Sequence, residues 1–251
     1  MKSVSIKIYK TDLQSILPFR GLFLQENNVQ IRYDACHRRG WSDSYVIMID
    51  GVKAGYGSVK GNEHIEHRDT VFEFYLIPAF RDQALTAFEL LLKVSGVSFI
   101  ESQTNEPLLT SFAYLYGTDL SSDTILFRDK IATDLILEEG VFRPKAPNDK
   151  VFEHRAEPVG DFVVEWRAEI VATGGFLLHY NMPFADLYME VREDCRQMGF
   201  GSLLVQEVKL QCYLSGRVPA ARTGFSNLAS RATLLRAGFE IAGHMLLAKL
   251  K

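Results

Sequence analysis

The chain has 251 residues, 47% of them hydrophobic and 24% charged, with a formal net charge of −3. That length holds one large domain or two of ordinary size, and that composition builds a globular core rather than a disordered tail. A balance so near neutral offers no field for nucleic acid or an anionic membrane, and no stretch reaches the ~20 apolar residues of a spanning helix. Cys36, Cys195 and Cys212 are widely spaced and odd in number. They make a poor disulfide framework and a poor zinc site, so a reducing cytoplasm is the expected location. The start Met1-Lys-Ser-Val-Ser-Ile6 lacks the apolar core of a signal peptide.

In chain order, residues 3–9 alternate Val4, Ile6 and Ile8 with polar neighbours and read as a strand. Asp12 is placed to cap a helix carrying Leu13, Ile16, Leu17 and Phe19, with Pro18 leaving its extent open. A second helical stretch covers about residues 30–39. Residues 45–49, the turn Asp50-Gly51 and residues 52–59 form a β-hairpin. A strand at 71–77 stops at Pro78, and a helix follows with Leu85, Phe88, Leu91 and Leu92 on one face. A short strand at 97–100 and a helix at 107–116 come next, then strands at 124–127 and 131–137. Residues 138–149 carry Gly140, Pro144, Pro147 and several charges, the composition of a linker or an elaborate loop. Two domains, 1–140 and 141–251, are therefore expected.

Beyond the linker, residues 162–166 and 170–180 form another hairpin. Leu187, Met189 and Val191 then alternate with Tyr188, Glu190 and Arg192, which is strand periodicity. After Gly199 and Gly201 the pattern changes, with Leu204, Val208 and Cys212 recurring every fourth residue as in a helix. A strand at 220–225, a helix at 228–236 and a strand at 241–249 close the chain. The order hairpin, strand, helix, strand, helix, strand thus occurs twice. Laying Leu76 on Val191 is a shift of 115 residues (191 − 76), and it sets Ala84 and Thr86 where the second copy has Gly199 and Gly201. Asn105 then matches Asn227 after a short gap. Side chains at Ala84 and Thr86 would crowd a phosphate, so the first copy reads as a structural or acceptor-shaping domain without cofactor binding.

The stretch from Leu187 to Leu204 carries the functional signal. A strand runs through two glycines into a helix whose first turn has unpaired N–H groups and partial positive charge, an arrangement suited to a phosphate or pyrophosphate. Ser202 stands where a Walker loop needs Lys, and Leu204 where the dinucleotide fingerprint needs its third glycine. What remains, Arg196-Gln197-Met198-Gly199-Phe200-Gly201-Ser202, resembles the acyl-CoA pyrophosphate loop of the GNAT superfamily of N-acetyltransferases. Asn227-Leu-Ala-Ser230-Arg-Ala-Thr-Leu234-Leu-Arg236-Ala-Gly238-Phe239 resembles the second signature of that family.

The resemblance implies an α/β fold of mixed-sheet type with two GNAT-like modules in tandem, the N-terminal one degenerate. It implies acetyl-CoA as cosubstrate, no metal, and direct attack by a primary amine, on a small molecule or a peptide, with a homodimer as the assembly left open. Met189, Val191, the loop 196–202, Asn227 and Ser230 would hold the cofactor. A carboxylate or imidazole must take the amine's proton. Glu190 is the first candidate for this base, with His179 and Tyr180 on the preceding strand as others. Leu234 occupies the place of the family's usual Tyr, so Tyr180, Tyr188 or solvent would protonate the leaving thiolate, or the module binds acyl-CoA without turnover. Cys195 reads as a small buried residue, His64-Ile-Glu-His67 lacks metal-ligand spacing, and His37-Arg38-Arg39 reads as a solvated surface or a phosphate-meeting loop.

Overall fold

In the computed structural model, which describes residues 4–27, 29–31 and 33–251, the chain begins with strand β1 (Ile6–Thr11). Residue 3 of the expected first strand and residue 32 of the expected second helix lie outside the described residues. Asp12 ends β1 and caps helix α1 (Leu13–Glu26) by accepting the Ser15 N–H at 2.8 Å, and Pro18 lies inside that helix. Helix α2 (Tyr33–Arg38) is shorter than the stretch 30–39. Strands β2 (Ser42–Ile49) and β3 (Val52–Lys60) meet at Asp50 and Gly51, both with positive φ, as a two-residue hairpin turn requires. The fully buried β4 (Thr70–Leu76) leads through a 3₁₀ turn (Pro78–Gln83) into α3 (Ala84–Ser95). Ala84, Ala87, Phe88 and Leu91 form the buried face of α3, while Leu85 is 52% exposed. The inward stripe therefore passes beside Leu85, and alanines supply the contact. Strand β5 (Phe99–Gln103), helix α4 (Pro107–Tyr116) and strand β6 (Gly117–Ser121) follow.

The second half runs β7 (Thr124–Asp129), β8 (Gly140–Pro144), β9 (Phe162–Trp166), β10 (Glu169–Leu177), β11 (Phe184–Val191), α5 (Phe200–Leu214), β12 (Val218–Gly224), α6 (Leu228–Arg236) and β13 (Phe239–Leu250). The compact units are 1–29 with 33–123 and 244–251, and 30–32 with 124–243. The division falls after Asp123 rather than after residue 140, because β7 pairs with β12, with Phe127 opposite Ala221. The last residues of β13 return to the first unit, where Leu247 pairs with both Glu101 and Ser121. Residues 138–149 are no linker: β8 lies within them and pairs with β9, and Phe142 stacks on Phe162 at 5.4 Å. Residues 131–137 are not a strand. Their backbone is tied in part to side chains of α5, with the Leu135 N–H donated to Gln206 at 2.6 Å and the Ile131 carbonyl accepting from Lys209 at 2.9 Å, while the Ile131 N–H goes to the Gly238 carbonyl at 3.0 Å.

In the first unit the strands lie in the order β1-β2-β3-β4-β5-β13, with β6 on β13, and the core gathers Phe74, Phe88 and Phe112. In the second the order is β13-β7-β12-β11-β10-β9-β8, with a core of Leu187, Phe200, Leu204, Val208 and Leu234 among others. Each sheet is mixed, with one parallel pair near its middle: β4 with β5, and β11 with β12. The parallel pairing ends at Val71–Ile100 in the first unit and at Asp186–Ala220 in the second, positions 115 residues apart (186 − 71). This is the shift that overlays the two halves of the sequence. Both units are one architecture used twice.

Candidate active site

Beyond Asp186 and Ala220, β11 and β12 part, leaving a small cleft open to solvent. Glu157, Leu187, Tyr188, Met189, Val205, Ala221, Arg222, Ser230 and Leu234 line it. Alternation along the strands sorts these residues by face. Leu187 and Ala221 join Val205 and Leu234 in the core under α5 and α6, and Met189 packs against it. Asp186, Tyr188 and Glu190 fall on the opposite face of β11, and Arg222 on that of β12. The opening therefore passes through the sheet, apolar on the helix side and polar on the other.

On the helix side, α5 starts at Gly199 (φ +94°), and among the described residues no side chain caps its first turn. A non-glycine residue is strained at that angle. Phe200 anchors the turn by burying against Trp166, with ring centroids 5.5 Å apart. Arg196, Gln197 and Met198 are exposed beside it, and Arg196 donates to the Val191 carbonyl at 3.2 Å. Ser202 is buried and donates to the Thr233 carbonyl at 3.4 Å, tying α5 to α6. Gly201 has a packing reason for being glycine: a Cβ there would stand 3.2 Å from Val191 and 3.3 Å from Thr233. At Gly199 a Cβ would stand 3.3 Å from Leu137, with the Arg236 guanidinium 3.8 Å away. The two glycines thus serve close packing as well as a bare main chain. Asn227 caps α6 by accepting the Ser230 N–H at 3.0 Å, and Gly238 ends its turn at φ +89°, where a Cβ would collide with the Ile131 carbonyl.

On the polar side Glu190 is 8% exposed and accepts the N–H groups of Arg155 at 2.8 Å, Ala156 at 3.1 Å and Glu157 at 2.9 Å. Burial pushes its pKa up, but these N–H groups outweigh burial and hold it below the ordinary value of 4.5. The arrangement makes Glu190 a latch for residues 155–157 rather than a waiting base. Replacing it by Ala should release that segment, costing roughly 1–3 kcal/mol. Amide exchange at Arg155, Ala156 and Glu157 should quicken about tenfold or more while β11 stays protected; unchanged protection there would remove the latch.

His179 and Tyr180 lie past the end of β10, in the turn to β11 rather than on a strand. His179 Nε2 sits 3.0 Å from Asp186, and Tyr180 is buried with Phe184 and Ala220, away from the cleft lining. Sequence reasoning missed Glu157 and Arg222. Burial raises the Glu157 pKa, with Asp186 and Glu190 adding to the rise and Arg222 opposing it. Glu157 stands in residues 145–161, which carry no periodicity, whereas Arg222 could have been found from its alternation with Ala221 and Thr223. Cys195 is 2% exposed, and burial raises its thiol pKa. The His37 ring is buried against Glu73, Arg38 pairs with Asp34, and Arg39 lies over the Trp41 ring, so two of the three meet the protein's own carboxylates. Among the described residues no His, Cys, Asp and Glu group is arranged to hold a metal ion, and no helix is long and apolar enough to cross a membrane.

No protein-family model and no curated protein matches the sequence. Solved structures do match. A GNAT-family acetyltransferase from Colwellia psychrerythraea superposes with a TM-score of 0.72 at 15% identity, covering 98% of this chain and 100% of that one. The fold is the GNAT fold. A tandem GNAT protein from the clavulanic acid biosynthesis pathway matches with a TM-score of 0.57 at 12% identity over 98% of both chains. A GCN5-related N-acetyltransferase from Sphaerobacter thermophilus matches with a TM-score of 0.53 at 15% identity, over 81% of this chain and 79% of that one. In this tandem GNAT fold, the second module carries both sequence signatures, and Ser230 and Leu234 from the second of them line its cleft. Leu234 is 4% exposed at the place where the signature has Tyr, so the phenol among the cleft-lining groups is that of Tyr188.

Proposed function

We propose that the second module binds acetyl-CoA and transfers its acetyl group to a primary amine by direct attack. The observation that carries this is the cleft between β11 and β12, which is walled on one face by Val205 of α5, a helix whose start no side chain caps, and on the other by titratable groups. The N–H groups of the first turn of α5, with Arg196 and Arg236 nearby, suit a diphosphate. The apolar wall of Leu187, Met189, Val205 and Leu234 suits an extended, weakly polar arm. In the first module a 3₁₀ turn runs straight into α3 at Ala84, without a left-handed glycine, which supports cofactor binding by the second module alone.

The amine enters from the polar face and loses its proton to the Glu157 carboxylate, directly or through a water. Its lone pair forms the C–N bond at the thioester carbonyl carbon. The charge growing on the oxygen is met by β11 N–H groups that β12 no longer pairs. The C–S bond breaks, the thiolate takes a proton from Tyr188, and the second proton of the attacking nitrogen passes to the Tyr188 phenolate, directly or through water, leaving a neutral amide. Burial, with Asp161 and Glu157 nearby, raises the Tyr188 pKa, so the phenol holds its proton until the thiolate forms. The second reading, a module that binds acyl-CoA without turnover, is favoured by one observation, the Leu234 side chain in place of the signature Tyr.

Calorimetric titration with acetyl-CoA, combined with release of free CoA across an amine panel, separates these readings. Ser230 is half-buried in the first turn of α6, and its contribution to the cap is a backbone N–H. Ser230→Trp should fill the cleft on a folded protein and weaken acetyl-CoA binding at least about tenfold, on the order of 1.4 kcal/mol. Equal affinity in both proteins removes the cleft from the cofactor's path, and binding without CoA release for any amine favours the second reading.

A further inference from the structure

We propose that the acceptor is an amine that carries its own carboxylate, an amino-acid-like zwitterion held between Glu157 and Arg222. This rests on the acetyltransferase reading above and names its substrate class. The charges around the polar face are nearly all matched within the module. Glu190 is spent on three N–H groups, and Asp186 faces His179 at 3.0 Å. Glu193 pairs with Arg155 at 2.9 Å and Asp194 with Arg192 at 2.7 Å. The two charged residues that line the cleft itself, Glu157 and Arg222, are of opposite sign and lack such a match.

Among the described residues the Glu157 carboxylate has neither a hydrogen-bond nor an ion-pair partner. Arg222 has one charged neighbour, Asp186 at 3.9 Å, beyond hydrogen-bond range, and its side chain is 34% exposed. Asp186 already serves His179, so the guanidinium fork keeps its donors for a ligand. Glu157 and Arg222 do not pair with each other, although each lies within the other's field. A ligand with an ammonium at one end and a carboxylate at the other satisfies both at once. A simple alkylamine or polyamine would leave Arg222 facing a second cation, and like charges brought together repel. Placing the ammonium at Glu157 also puts the attacking nitrogen beside Tyr188, where the thiolate must later find its proton.

The experiment compares free amino acids with the corresponding amino-acid amides and decarboxylated amines, by kcat/KM from CoA release. The wild type should favour free amino acids by about tenfold or more, the order expected of a charge-assisted, two-pronged contact. Arg222→Gln should lower kcat/KM for amino acids about 10- to 100-fold and change the amides less than about threefold, with acetyl-CoA affinity by calorimetry held. Arg222→Lys keeps the charge without the fork and should fall between the two. It also serves if the Gln variant folds poorly. A wild type that uses amides or alkylamines equally well, or an Arg222→Gln loss shared by all acceptors, overturns this inference and leaves the transferase reading standing. Failure of every amine to release CoA removes both.

Discussion

Replacing Arg20 by methionine is expected to destabilise the first module by about 3–5 kcal/mol, the loss typical of removing one partner from a buried ion pair. Arg20 comes from α1 and is 5% exposed, while Glu73 on β4 is 0% exposed. The Arg20 Nε donates to both Glu73 oxygens at 3.2 and 3.1 Å, and Nη2 donates to Oε1 at 3.1 Å. Tyr56 donates its hydroxyl at 2.9 Å, and His37 Nε2 lies 2.9 Å away. Burial alone would push the Glu73 pKa up, but the charges and hydrogen bonds of Arg20 and His37 bring it down to about 2. Without the guanidinium, the carboxylate is left buried with weaker partners, and methionine fills the space without answering the charge. Denaturant unfolding of the full chain reads the loss. Adding Glu73→Gln to the Arg20→Met protein should recover part of it, because a neutral amide needs no counter-charge. A change under about 1 kcal/mol in the single variant would mean that water or the His37 imidazole answers the Glu73 carboxylate in place of the guanidinium.

The cluster also shows how the two modules diverged. On the overlay of 115 residues, Glu73 falls at the strand step held by Tyr188 (188 − 73), just past the end of the parallel pairing in each unit. The second module presents a phenol to a cleft there. The first fills the step with a charge network from α1, α2 and β3, so the same backbone parting is occupied by the protein's own side chains. Charge burial of that kind is invisible in sequence, since Arg20, His37, Tyr56 and Glu73 are scattered over more than fifty positions and only folding brings them together.

What was legible was local. The Asp50-Gly51 turn, the Asp12 and Asn227 caps, the extents of α4 and α6 and the glycine loop before α5 all carry their signals within a few residues. What was not legible depends on partners far along the chain. Residues 131–137 alternate like a strand, yet their hydrogen bonds go to Gln206 and Lys209 of α5. Strand β8 was hidden by the prolines and glycine of a linker-like composition, and it exists because β9 offers an edge. The place of Glu190 on the polar face followed from alternation, but nothing in the sequence says that three N–H groups converge on it. Glu157 sits in an irregular segment that this latch helps to position. The helix side of the cleft could therefore be read from motifs, and the polar side had to be seen.

Glu106→Gln should stabilise the first module by about 2–3 kcal/mol at pH 8 and leave it nearly unchanged near pH 4.5. Glu106 takes the cap position of α4, where Asn227 stands in the second module, and accepts the Leu109 N–H at 3.2 and 2.9 Å while only 4% exposed. Burial pushes its pKa from the ordinary 4.5 up to about 7, with the Glu73 charge adding to the rise and the N–H groups of Leu109 and Leu108 opposing it. A carboxyl raised in this way binds its proton more tightly in the folded state. Its favourable contribution is present below pH 4.5 and is lost as pH climbs to about 7. Glu73 acts with the opposite sign, since its contribution is complete above pH 4.5 and is lost as pH falls toward about 2. A glutamine keeps an oxygen for the Leu109 N–H and has no proton to release, so the variant's stability should stay flat from pH 5 to pH 8 while that of the wild type declines. The measurement is urea unfolding of both proteins at each pH. Parallel profiles would show that water reaches the Glu106 carboxylate and that its charge is borne without cost.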